Sequence, residues 1–160
     1  MKKTITILLF LISIQSFACS CIKTNDSFKE KISKEFKSSI AIFYGKVIKK
    51  RTYKTNQDYL SSADIIFYTF EIVKVYKGEI SKKRIIIKSN RGNQACGYSF
   101  KLNQKYLVYA NYYGIDQENV AKDDLFTSIC HRTNLLKKVR KKELRLLKRY
   151  SKKRKQRLNT

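Results

Sequence analysis

Four cysteines carry the most specific chemistry in this chain: Cys19 and Cys21, with only Ser20 between them, then Cys96 and Cys130. Four thiolates on one zinc is one reading. Structural zinc sites, however, draw on Cys-x2-Cys pairs with closer partners. An even count in a small exported chain reads instead as two disulfides. A Cys19–Cys21 bond would close a strained, very tight loop. Each of the two remaining pairings ties the N-terminal segment to two distant parts of the chain. The single histidine, His131, follows Cys130 directly. An oxidised Cys130 is no nucleophile, and no Ser-His-Asp triad exists without His131. Asp123-Asp124 has neither a partner histidine nor a Gly-rich phosphate loop, and reads as a solvated turn. Neither enzymatic catalysis nor a cofactor is expected.

The second source of chemistry is charge. The chain has 160 residues, with 36 Lys and Arg against 12 Asp and Glu, for a formal net charge of +24. From Lys137 to Thr160 there are 13 basic residues and one acid, Glu143. Such a segment would hold an acidic polymer at modest salt. Lys152, Lys153, Arg154, Lys155 and Arg157, in a basic tail over 151–160, are the candidate polyanion contacts. The expected partner is an acidic polysaccharide or surface.

Export sets the redox state of the cysteines, and the first residues predict it. Met1-Lys2-Lys3-Thr4 is a short basic start, followed by a run from Ile5 to Ile14 that is apolar except for Thr6 and Ser13. As a helix this run reaches about 15 Å, half of a bilayer core. That suits a signal peptide over 1–18, and Ser16 and Ala18 are the small residues that predict cleavage after Ala18. Cys19 then begins a secreted or periplasmic chain. An alternative is a lipid anchor on Cys19, although Ser16 stands where lipoprotein signals usually carry an aliphatic residue. No other segment approaches the length of a membrane span. Export also argues against cellular nucleic acid as a partner.

Elements must hold these residues in place. Ser27 with Glu30 forms a capping box, and Phe28, Ile32 and Phe36 recur at helical spacing, predicting a short helix over about 28–37. Residues 40–48 read as a strand, with Gly45 marking a bulge or bend. Polar residues 49–62 read as a hairpin loop. Further strands are expected over 64–76, 84–88 and 105–112, with a less distinct fifth over about 120–129. Five strands without helical crossovers argue for a mainly β, small antiparallel barrel. From Thr133 the period becomes helical. Leu136, Val139, Leu146 and Tyr150 form a stripe that Glu143 interrupts, with Thr133 or Asn134 as candidate cap. This is a C-terminal basic helix packed on the barrel.

Taken in order, several strings resemble the netrin-like module. They are Cys19-Ser20-Cys21 after a leader, Ile42-Phe43-Tyr44-Gly45-Lys46-Val47, Phe70-Glu71-Ile72-Val73-Lys74-Val75-Tyr76-Lys77-Gly78, Cys96-Gly97-Tyr98, and Thr127-Ser128-Ile129-Cys130. The pattern is most similar to tissue inhibitors of metalloproteinases and their bacterial homologues, and covers about residues 19 to 147, within a domain drawn at 19–150. The resemblance implies a five-stranded antiparallel barrel of the oligonucleotide/oligosaccharide-binding type, and the pairs Cys19–Cys96 and Cys21–Cys130. It also implies an inhibitory wedge of Cys19, Ser20 and Cys21. In that wedge the α-amine and carbonyl oxygen of Cys19 bind the catalytic zinc of an extracellular metalloproteinase in trans, and the Ser20 side chain enters the specificity pocket. This chain has four cysteines where the inhibitor domain has six, and its basic tail is not typical of the inhibitors. Other netrin-like modules carry basic C-terminal segments that bind sulphated sugars. That gives the alternative of an extracellular polyanion- or protein-binding module without inhibitory activity.

Overall fold

The structure, a computed structural model, describes residues 19–53, 59–62, 64–112 and 125–158. The signal peptide expected over 1–18 and the turn expected at Asp123-Asp124 lie outside the described residues. The first helix, α1 (Phe28–Ser38), starts at the expected capping box: the Ser27 N–H donates to Glu30 Oε2 at 2.8 Å, and the Glu30 N–H donates to Ser27 Oγ at 3.4 Å. Ile32 and Phe36 are its buried residues, one turn apart as their spacing requires.

Four strands follow: β1 (Ala41–Tyr53), β2 (Ile65–Lys77), β3 (Arg84–Asn90) and β4 (Lys105–Tyr112). Two short ones complete the sheet, β5 (Leu125–Phe126) and β6 (Asn134–Leu135). The strand order is β1-β2-β3-β5-β4-β6, and a further β1–β4 pairing closes β1, β2, β3, β5 and β4 into a five-strand ring. β1 pairs with β2 along its length, with register shifts at Ile42/Phe43, Tyr44/Gly45 and Val47/Lys49 that bend it. Its first half, Ala41 to Lys46, pairs in unbroken register with β4 on the other side. Gly45 sits at one of the shifts. A Cβ there would stand 2.5 Å from the Glu71 carbonyl oxygen, so close approach of the β2 backbone requires glycine.

The expected five-stranded antiparallel barrel therefore needs correction. The sheet is mixed and six-stranded, because β3 and β5 pair in parallel at Lys88 and Phe126, and β6 adds to β4. The polar stretch expected as a loop over 49–62 is strand as far as Tyr53, paired with Ile65. Of the fifth strand expected over about 120–129, Leu125–Phe126 are strand and 120–124 lie outside the described residues.

The C-terminal helix also begins later than expected. Asn134–Leu135 form β6, a 3-10 turn spans Leu136–Lys138, and α2 runs from Lys141 to Leu158. Neither candidate residue caps it. The Thr133 hydroxyl accepts from the Tyr109 N–H at 2.9 Å, and Asn134 Oδ1 accepts from the Leu135 N–H at 2.8 Å.

Two apolar layers result. Inside the ring, Phe100 packs edge-on against Tyr68, Phe70 and Tyr106 at centroid distances of 4.8, 5.0 and 4.8 Å. Phe43, Val47, Ile87 and Val108 fill the space around them. Outside it, Ile42, Leu107 and Tyr109 meet Ile32 and Phe36 of α1 and Leu146 and Leu147 of α2. Tyr106 to Ala110 is thus buried on both faces, which explains an apolar run without alternation. Leu136 and Val139 join the same layer although they precede the helix.

Candidate functional site

Two disulfides, Cys19–Cys96 and Cys21–Cys130, hold the N-terminal segment, with Cα separations of 5.3 and 5.2 Å. These are the pairs the resemblance implied, and they are consistent with an oxidising compartment. The sulfurs of Cys19, Cys96 and Cys130 lie within 4.8 Å of one another. All four cysteines are oxidised, so no thiolate remains for the zinc reading.

Local backbone chemistry brings the two bridges together. A 3-10 turn at Asn93–Ala95 ends at Cys96 in the left-handed region, φ 55°. Gly97 follows with no room for a Cβ against the Asn90 carbonyl, and it pairs with Ser128 in an isolated bridge. The Ile129 N–H donates to the Cys96 carbonyl at 3.0 Å. As a result the Cys96 and Cys130 sulfurs sit 4.0 Å apart. Across this platform Ser20 is exposed and Cys19 and Cys21 are half-buried. Ile22 is 94% exposed and Ile129 41%. The tip of the segment is therefore a rigid, double-bridged ridge flanked by uncovered aliphatic side chains.

A buried polar network holds the loop that carries Cys130. Thr127 Oγ1 donates to the Tyr109 carbonyl at 2.8 Å and lies 2.8 Å from Thr133 Oγ1. Ser89 Oγ donates to the Thr127 carbonyl and accepts from the Tyr98 N–H, linking this loop to the Cys96 side. His131 Nδ1 accepts from the Ser128 N–H at 3.2 Å. Burial pushes the His131 pKa below the usual histidine value. One residue further, Arg132 donates from Nε and Nη2 to the two carboxylate oxygens of Glu143 at 3.1 and 2.8 Å. The Tyr109 hydroxyl donates to the same carboxylate at 2.7 Å. Burial disfavours the Arg132 charge, but the Glu143 carboxylate outweighs it and the pKa rises. Burial, with Glu143 beside it, pushes Tyr109 far above the phenol range. Glu35 of α1 faces Arg132 and Glu143, and burial raises its carboxyl.

Cys19, Ser20 and Cys21, to which the resemblance assigns a wedge, are consecutive residues held by the two bridges. The polyanion candidates lie at the far end of α2, where Lys152, Lys153, Lys155 and Arg157 are exposed. Arg154 is half-buried and near Lys77, whose ammonium donates to the Phe36 and Lys37 carbonyls at 2.7 and 2.8 Å. Arg154 is therefore the least available of the five. The Glu143–Arg132 pair was missed from sequence. Its signal was present: one acid in the basic stretch 137–160, placed on the apolar stripe.

Among the described residues no helix is long and apolar enough to cross a membrane. Neither the family models nor the curated proteins compared with this chain match it.

Proposed function

We propose that this is an exported netrin-like protein of the metalloproteinase-inhibitor type, acting through its N-terminal Cys19. The observation that carries the reading is the double bridging of Cys19 and Cys21 onto two adjacent loops, with Ser20 and Ile22 left exposed between and beside them. A catalytic zinc keeps one position open. An α-amine of pKa about 7.7–8 is partly neutral near pH 7 and can ligate there. A ridge already fixed by two disulfides loses little conformational freedom on binding. The aliphatic side chains of Ile22 and Ile129 would cover the rim of a protease cleft. The five-strand ring with two flanking helices supports the finer assignment, a netrin-like barrel of the oligonucleotide/oligosaccharide-binding type.

The test is inhibition of a panel of secreted zinc endopeptidases by the mature protein with both bridges formed and a free Cys19 amine. Stoichiometric inhibition of at least one, relieved when Cys19 is acetylated, is expected. No inhibition across the panel by a protein with that N-terminus removes the reading.

A second reading has its own observation. Along α2, Lys141, Arg145, Lys148, Lys152 and Lys155 are all exposed, at spacings of three and four residues that place them on one face. Such a ridge favours binding of an acidic polysaccharide or surface, independently of the wedge.

A further inference from the structure

A cavity of about 280 Å³ lies where the start of α1, the segment after Cys130 and the start of α2 meet. It is lined by Phe28, Arg132, Asn134, Lys138, Val139, Arg140 and Glu143. Three of these side chains are cationic and one is acidic. The acid is already committed, since the Glu143 carboxylate takes both Arg132 donors and the Tyr109 hydroxyl. Its charge is matched by Arg132, which leaves Lys138 and Arg140 unbalanced. No acidic side chain pairs with either among the described residues. Both are exposed.

The cavity is also prearranged. The Phe28 ring carries two guanidiniums, with Arg140 Cζ 5.1 Å and Arg132 Cζ 5.6 Å from its centroid. Stacking of this kind holds a planar guanidinium in place and lowers the entropy lost when it binds. Arg132 is held by Glu143 through Nε and Nη2 and by the Tyr109 hydroxyl, so it lines the wall as a fixed, already paired guanidinium. The Asn134 carbonyl oxygen is occupied by the Leu135 N–H, which leaves its amide N–H groups to donate. The walls thus offer donors from three side chains, Lys138, Arg140 and Asn134, and an apolar surface from Phe28 and Val139.

We propose that this cavity binds a sulfate or phosphate ester group carried on a compact polar body such as a sugar. Donors drawn from three separate side chains, Lys138, Arg140 and Asn134, suit a group with three free oxygens more than a planar carboxylate, which one guanidinium would satisfy. The cavity volume leaves room for part of the body to which the ester is attached, against Phe28 and Val139. This site is separate from the Cys19 ridge and from the exposed end of α2, and depends on neither functional reading.

The test is titration of the mature, disulfide-bonded protein with inorganic sulfate, inorganic phosphate, glucosamine 6-sulfate, glucose 6-phosphate and acetate, followed by amide NMR. Saturable shifts confined to the Asn134 side chain and the amides around the cavity, those of Phe28, Arg132 and residues 138–143, are expected, with a sugar ester binding more tightly than its inorganic anion. The stronger of the sulfated and phosphorylated arms identifies the ester. Arg140→Gln and Lys138→Gln alter exposed side chains, and each should weaken binding about tenfold. Lys152→Gln, on the far end of α2, should leave it unchanged. Shifts spread evenly over surface lysines, affinity indifferent to both cavity variants, or acetate binding as well as sulfate, would each overturn the proposal.

Discussion

Substituting Glu143 by Gln tests whether the buried polar network holds the Cys130 loop. The two side chains have nearly the same shape, so packing against α1 and β4 is kept. What changes is the charge facing Arg132 and one acceptor oxygen, now an amide that presents donors to a guanidinium. Removing one partner of a buried ion pair costs about 3–5 kcal/mol. The Glu143 side chain is 6% exposed but that of Arg132 is 25% exposed, so Arg132 can recover part of its hydration. A loss of about 2–3 kcal/mol is expected, or a fall in Tm of roughly 6–12 °C for a chain of this length. Arg132→Met should cost more than Glu143→Gln, because the carboxylate left behind is the more deeply buried partner. The double variant Glu143→Leu with Arg132→Met should cost less than the sum of its single variants, since no charge is then stranded. Urea unfolding followed by far- and near-UV circular dichroism measures all of these. A Glu143→Gln protein with the midpoint and slope of the parent would refute the reasoning, as would strict additivity in the double variant.

Peptide mapping under non-reducing conditions should recover Cys19 joined to Cys96 and Cys21 joined to Cys130. Replacing either pair with serines should cost about 4–5 kcal/mol, from loops of 77 and 109 residues; recovery of Cys19 joined to Cys130 would contradict the structure. Removing residues 152–160 should lower the salt concentration at which the protein elutes from a sulphated-polymer column. Its stability should change little, because Leu146, Leu147 and Tyr150 remain in the helix layer; unchanged elution would take the polyanion site away from the end of α2. The folded His131 resists protonation, so between the usual histidine pKa near 6.5 and its lower folded value the unfolded state binds more protons. Its contribution is therefore full above about pH 6.5 and declines as the pH falls below it. His131→Gln should lose more stability relative to the parent at pH 7.5 than at pH 5.5, and an equal loss at both would count against it.

Much of the frame was legible because local signals and tertiary demands agree. Ser27 and Glu30 cap α1 through bonds that need no distant partner, and β-branched and aromatic runs mark β1 to β4 directly. Gly45 signalled a bulge, since a close backbone approach leaves a glycine behind in sequence. The parallel contact of β3 with β5 was not legible: it involves one residue pair, Lys88 and Phe126, with no local pattern of its own. The start of α2 was misplaced because Leu136 and Val139 carry the helical stripe while sitting in a turn that packs on the same layer. Thr133 looked like a cap, but its hydroxyl is drawn inward by Tyr109, a partner 24 residues away. That Cys19 and Cys21 are both tied to distant parts of the chain was readable from cysteine count and spacing, whereas which partner each takes was implied only by the netrin-like resemblance. The support of that segment by Glu143, Arg132 and His131 was not legible, because buried polar partners leave only a misplaced charge in an apolar stripe.

The central claim rests on the position of one nitrogen atom, so moving it is the most direct test. Adding a single alanine before Cys19 shifts the α-amine by one Cα step, about 3.8 Å, and leaves the bridges, the ring and both helices intact. Against a zinc endopeptidase that the parent inhibits, the extended protein should show no inhibition while keeping the parent's Tm and disulfide pairing. Equal inhibition by the two proteins would contradict zinc ligation by the Cys19 amine.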